Sequence, residues 1–80
     1  MDCYPAIRRI ISKELALDEK AVVPEAHLQD DLGADSLGLL TLAEALAKNY
    51  GIELLADDLV ELENVGELTR LIESKISQKP

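Results

Sequence analysis

Apolar side chains recur at helical spacing in three stretches of the chain. Ile7, Ile10, Ile11 and Leu15 share one stripe, with Arg8, Arg9 and Lys13 on the rest of the surface. This pattern predicts an amphipathic helix with a basic outer face from about Pro5 to Leu15. Pro5 suits a first helical position, where its missing N–H has no partner to lose. Leu39, Leu42, Ala43, Leu46 and Tyr50 mark the buried face of a second helix over Ser36–Tyr50, with Gly51 placed to cap it in the left-handed region. Leu68, Leu71, Ile72 and Ile76 form a third stripe with Val65 near its start. It opens at Asn64, where Asn64 and Glu67 have capping-box spacing. The tail Gln78–Pro80 is expected to fray.

Between these stripes the period is weaker. A short helix is predicted over Ala56–Leu62, with Leu59 and Leu62 inward and Asp57 and Asp58 complementing its N-terminal dipole. From Leu17 to Asp35 the period is lost, and Pro24 and Gly33 punctuate a loop of nearly twenty residues. Loops of that length in compact domains are uncommon and often functional. Val22, Val23 and Leu28 are the expected apolar pegs that pin it. Ile52–Leu55 is the only β-like run and is too short and isolated to form a sheet. The expected fold is all-α: a small four-helix bundle with a long first loop and a short third helix.

Composition narrows this further. Eighty residues allow one domain, 1–80, with its core over about residues 4–77. Hydrophobic residues make up 48% of the chain, enough to bury a core, and Phe and Trp are absent, so that core is aliphatic. With no metal or disulfide to reinforce it, a core of this size leaves a margin of about 3–5 kcal/mol. Cys3 alone cannot form an internal disulfide, and the single His27 cannot build a Cys/His zinc site; no metal is expected. The N-terminus lacks a signal-peptide pattern. No apolar run reaches the ~18 residues that span a bilayer, so the cytosol is the expected location.

The net charge of −8 argues against nucleic acid and anionic membranes as ligands. It is also unevenly placed. Residues 28–63 hold nine acids and one base, so the entire net charge lies on the second and third helices and their loops. A solvated face is the plain reading of such a run; an electrostatic docking surface for basic partners is the sharper one.

The chemistry concentrates in Asp30-Asp31-Leu32-Gly33-Ala34-Asp35-Ser36-Leu37, a loop that ends on a serine at the mouth of a helix. Ser36 is a good N-cap. Asp35 is an equally good one, which would leave the Ser36 hydroxyl exposed in the first turn, where a phosphodiester is electrostatically welcome. Spacing does not choose between cap and attachment site. A catalytic serine needs a nearby general base, and His27 has no evident orienting acid. The acids do not meet the calcium-loop pattern either. Cys3 reads as incidental, near a mobile terminus.

Asp31-Leu32-Gly33-Ala34-Asp35-Ser36-Leu37 resembles the phosphopantetheine attachment motif of bacterial acyl carrier proteins, of the discrete fatty-acid type. The resemblance covers nearly the whole chain, including Val23-Pro24-Glu25-Ala26, Tyr50-Gly51-Ile52-Glu53 and the last helix. It implies a carrier, not an enzyme. A Mg-dependent phosphopantetheinyl transferase would attach 4'-phosphopantetheine from coenzyme A to Ser36, and the thiol of that arm would carry acyl groups as thioesters for fatty acid or specialised lipid and polyketide synthesis. Asp35 and Leu37 would then face the transferase. Leu40, Glu44, Asp57 and Asp58 would meet acyl-loading and acyl-processing enzymes through basic or apolar docking surfaces. An acyl chain would slip between the helices along Leu42, Leu46, Leu54, Leu59 and Leu62, which are also ordinary core positions.

The chain departs from that pattern in its second helix. Gly38, Thr41, Ala47, Lys48 and Asn49 stand where acids are frequent in the family, and Glu44 alone remains. Leu37 and Leu40 are expected off the core stripe, as an apolar patch beside Ser36. Docking with less charge steering points to a dedicated carrier as readily as to general fatty acid synthesis. Two alternatives stand beside it: an aminoacyl or peptidyl carrier, and an unmodified helical adaptor that keeps the fold. No coiled-coil seam argues for a dimer, so a monomer is expected.

Overall fold

A computed structural model describes residues 3–78. Met1, Asp2, Lys79 and Pro80 lie outside the described residues, and with them the end of the tail expected to fray. The chain forms α1 (Tyr4–Leu15), α2 (Ser36–Tyr50), α3 (Ala56–Val60) and α4 (Val65–Ser77), with no strand among the described residues. The all-α four-helix expectation therefore holds.

The periodic stripes form the core. Ile7, Ile11, Leu42, Leu46, Leu59, Val65, Leu68 and Ile72 are fully buried in one cluster. Ile10, Leu15, Leu62, Leu71 and Ile76 pack partly buried around it. α2 packs against both α1 and α3.

Several boundaries differ from the sequence pattern. α1 starts at Tyr4, one residue early, which puts Pro5 at the second helical position, where it still displaces no helical N–H partner. Its N-terminus is completed from another helix: Glu73 Oε2 on α4 accepts the Cys3 N–H at 3.0 Å. Cys3 itself is buried in the core cluster, so the residue read as near a mobile terminus is a packed one. α3 ends at Val60 rather than Leu62. Leu62 N–H still reaches Leu59 O at 3.1 Å in a turn, which keeps it half-buried without extending the helix. In α4 Asn64 Oδ1 accepts the Glu67 N–H at 2.9 Å as its spacing predicts. The Glu67 carboxylate reaches back one residue further than a capping box requires, to the Glu63 N–H at 2.8 Å.

The long first loop is fastened along its length. It opens with a 3-10 turn, Glu19–Ala21, which the helical period cannot reveal. Side chains of α1 hold that turn: Arg8 Nε donates to Glu19 O at 2.7 Å, and the Tyr4 hydroxyl donates to Val22 O at 2.8 Å. The middle of the loop caps α4. Val65 N–H donates to Ala26 O at 3.0 Å and Gly66 N–H to Pro24 O at 2.9 Å. These are first-turn donors with no partner inside their own helix, so loop carbonyls satisfy the helix. Gly66 permits this close approach, since a Cβ there would lie 3.4 Å from Pro24 O. Val22 and Leu28 are buried pegs as expected, but Val23 points outward at 40% exposure. Its neighbour Val22 takes the inward position instead.

Candidate functional site

The site begins where the long loop enters α2. Leu32 and Ala34 are buried while Gly33 and Asp35 are exposed, so the approach alternates inward and outward. Gly33 has φ +71°, the left-handed region that glycine adopts without strain. Ala34 N–H donates to Leu28 O at 3.0 Å, which fixes the backbone two residues before Ser36.

Asp35, not Ser36, caps α2. Its backbone is extended, and its Oδ1 accepts the Gly38 N–H at 2.8 Å. Ser36 is the first residue of the helix and is exposed. Its hydroxyl bonds to no other described residue. Gly38 suits this cap: a Cβ there would lie 3.3 Å from Asp35 Oδ1 and 3.4 Å from Leu15 Cδ2. The glycine that weakens the first turn by about 1 kcal/mol relative to alanine therefore leaves room for the carboxylate and for α1.

The remaining candidate residues fall into two groups. Leu37 and Leu40 are 69% and 44% exposed. With exposed Glu44 they fall at i, i+3 and i+7, one face of α2. On α3 Asp57 is exposed, whereas Asp58 is half-buried, with Oδ2 accepting the Leu55 N–H at 3.0 Å. Asp58 thus helps to cap α3. Leu55 and Val60 are also exposed, which sequence reasoning missed. Leu55 precedes α3 and Val60 follows the buried Leu59, so neither belongs to a stripe long enough to read. Leu42, Leu46, Leu54 and Leu59 all belong to the buried core, with Leu62 packed against them. The structure therefore brings the five candidate pocket residues together.

Other chemistries find little support among the described residues. No group of three or more metal-ligating side chains forms. Among the described residues one ion pair is seen, His27 Nδ1 to Asp30 Oδ2 at 3.7 Å, and it is charged only when the imidazole is protonated. That Nδ1 already accepts two backbone N–H groups, from Gln29 and Asp30, so it is not available as a base for Ser36. No helix is long and apolar enough to cross a membrane.

The residues fit a phosphodiester-linked arm. An unengaged hydroxyl stands on the first turn of a fifteen-residue helix, where the dipole favours negative charge. Comparison with known proteins agrees. A family profile described as a phosphopantetheine attachment site matches residues 5–72. The acyl carrier protein of Thermotoga maritima is 37% identical over 75 residues, covering 94% of this chain and 93% of its own. That of Helicobacter pylori (strain G27) is 36% identical over 73 residues, covering 91% and 94%. Members of this family are carriers rather than enzymes, bear a covalent 4'-phosphopantetheine, and work with a phosphopantetheinyl transferase and acyl-processing enzymes. A capped helix that frees a serine at its mouth, on a bundle matched over most of its length, places this chain in the acyl carrier protein family.

Proposed function

We propose that Ser36 is the residue that carries 4'-phosphopantetheine, and that residues 1–80 act as one carrier domain. The observation that carries this reading is the Asp35–Gly38 cap: it satisfies the helix with the neighbouring carboxylate and leaves the Ser36 hydroxyl exposed and unengaged. In the loading step Ser36 Oγ forms a P–O bond while the pyrophosphate of coenzyme A breaks. The adenosine bisphosphate half leaves, and the hydroxyl proton passes to a base of the transferase. The attached arm supplies a thiol that holds acyl groups as thioesters.

The finer reading concerns partners. Between Ser36 and Tyr50 the chain offers one acid, Glu44, and one base, Lys48. Leu37 and Leu40 stand exposed beside the serine, and neighbouring α3 adds exposed Leu55 and Val60. Any enzyme that receives the arm must approach this surface. We infer that it meets an apolar docking area, with Asp35, Glu44, Asp57 and Asp58 at the charged positions. This supports a dedicated acyl carrier at least as well as a general one. Leu42, Leu46, Leu54, Leu59 and Leu62 would line the path of an acyl chain between the helices. We place the protein in the cytosol as a monomer: its lone thiol, Cys3, is buried and free rather than bridged.

Peptide mapping tests the assignment. After treatment with coenzyme A, Mg and a transferase, the adduct is expected on the tryptic peptide 21–48, whose only serine is Ser36. An adduct on any other peptide overturns it.

A further inference from the structure

The turn that leads into Ser36 is held by the only imidazole of the chain. His27 Nδ1 accepts the backbone N–H of Gln29 at 3.2 Å and of Asp30 at 3.1 Å. The His27 N–H donates to Asp31 Oδ2 at 2.7 Å. Its carbonyl accepts the N–H groups of Asp31 at 2.9 Å and Leu32 at 3.0 Å. The next residue, Leu28, is fully buried, and its carbonyl holds Ala34. The backbone that delivers Asp35 and Ser36 is therefore tied to residues 27 and 28.

A nitrogen that accepts two N–H bonds carries no proton, so this turn requires the tautomer protonated at Nε2. An imidazolium donates from both nitrogens and accepts at neither. The charged groups facing the ring are two acids of the same turn. Asp30 Oδ2 lies 3.7 Å from Nδ1, and Asp31 is bonded to the backbone of His27 itself. Among the described residues no charged side chain of a helix pairs with it. Protonation would exchange two accepted amide bonds for one charge-assisted bond to Asp30, which sits just beyond hydrogen-bond distance. Both arrangements use Nδ1, so they exclude each other.

We propose that His27 is a positioning residue for the modification of Ser36: neutral, it holds the 27–34 turn in the form that presents the serine; protonated, it exchanges that turn for a pairing with Asp30 and slows loading. The proposal rests on Ser36 being the attachment residue. Its physical basis is that group transfer is sensitive to small displacements of the nucleophile. Imidazole is also the side chain whose charge ordinarily changes between about pH 5 and 8.

The test compares full-length wild type, His27→Asn and His27→Ala as substrates of one transferase between about pH 5.5 and 8. The asparagine carbonyl can accept the same N–H groups and does not titrate. The ratio of wild-type to His27→Asn rates cancels the enzyme's own pH dependence. It is expected near one at the alkaline end and to fall about fivefold at the acid end, the equivalent of one net hydrogen bond. His27→Ala is expected to be slow throughout. As pH is lowered, the Gln29 and Asp30 amide resonances should shift together with those of the imidazole ring. A ratio that stays flat, or amides that ignore the imidazole, overturns the proposal. If no variant is modified at any pH, the carrier reading itself fails and takes this role of His27 with it, a result distinct from a flat ratio between active substrates.

Discussion

The carboxylate of Asp35 accepts the backbone N–H of Gly38 at 2.8 Å, and through that bond Ser36 begins α2 with its hydroxyl unengaged. Asp35 therefore has a structural task apart from any recognition by an enzyme. The two are separable. Asp35→Ala should lower stability by about 1 kcal/mol through loss of the cap. Asp35→Asn should keep the urea midpoint close to wild type and still slow modification by the transferase. Equal modification rates for wild type and Asp35→Asn would limit the residue to capping.

The N-terminus of α1 depends on a side chain seventy residues away. Glu73 Oε2 receives the Cys3 N–H, so a negative charge sits where the helix dipole favours one. Glu73→Ala is expected to cost about 1–2 kcal/mol in chemical denaturation. Amides of Cys3 and the first turn of α1 should then exchange faster with solvent. Exchange unchanged in that turn would show that the bond is not needed.

Ala16 ends α1 with φ 56°, in the left-handed region, and its N–H bonds to Ser12 O. A side chain costs about 1 kcal/mol in this conformation, and glycine does not incur it. Ala16→Gly should therefore raise the denaturation midpoint slightly or leave it unchanged. A clear fall would contradict the left-handed assignment.

Burial pushes the Tyr50 phenol up, and the neighbouring Cys3 adds in the same direction. A phenol that holds its proton more tightly when folded adds stability that is complete below about pH 10, the ordinary phenol value. This stability is lost as pH rises through the folded value. Wild type should thus lose stability on the alkaline side, and Tyr50→Phe should flatten that limb. Parallel curves for the two proteins would count against the shift.

The docking surface makes a contrast between apolar and charged substitutions. Leu40→Ser should weaken binding to an acyl-loading partner about tenfold, the scale of one partly buried leucine. Asp57→Lys and Glu44→Lys should have smaller effects that fade as salt is raised. Asp57 is a cleaner probe than Asp58, whose carboxylate also caps α3. Binding that collapses on charge reversal and ignores Leu40→Ser would reverse the proposed balance.

Much of this was legible in the chain because three stripes are long and regular. Ile7 to Leu15, Leu39 to Tyr50 and Val65 to Ile76 each repeat often enough to fix a buried face. What escaped was shorter or tertiary. Glu19–Ala21 is one turn and has no period. Leu62 keeps helical spacing from Leu59 yet lies past the end of α3, because a single turn satisfies that spacing without a helix. Val22 and Val23 are equally apolar, and only the contacts of the extended loop decide which faces inward. Cys3 joins the core, and its N–H is held by a residue of α4 that no local pattern connects to it. At the site, Asp35 and Ser36 are both good caps, so only the fold could choose between them. The tie from His27 to the turn is likewise a matter of ring orientation, not of spacing.

The central claim is that the free hydroxyl of Ser36 accepts the arm. Its most direct test is the intact mass of the protein after incubation with coenzyme A, Mg and a broad-specificity transferase, beside Ser36→Ala with its fold verified by circular dichroism. The expected result is a gain of one phosphopantetheinyl group by the wild type and none by the variant. An equal gain in both, or no gain by a folded wild type while the enzyme modifies a known carrier, would contradict it.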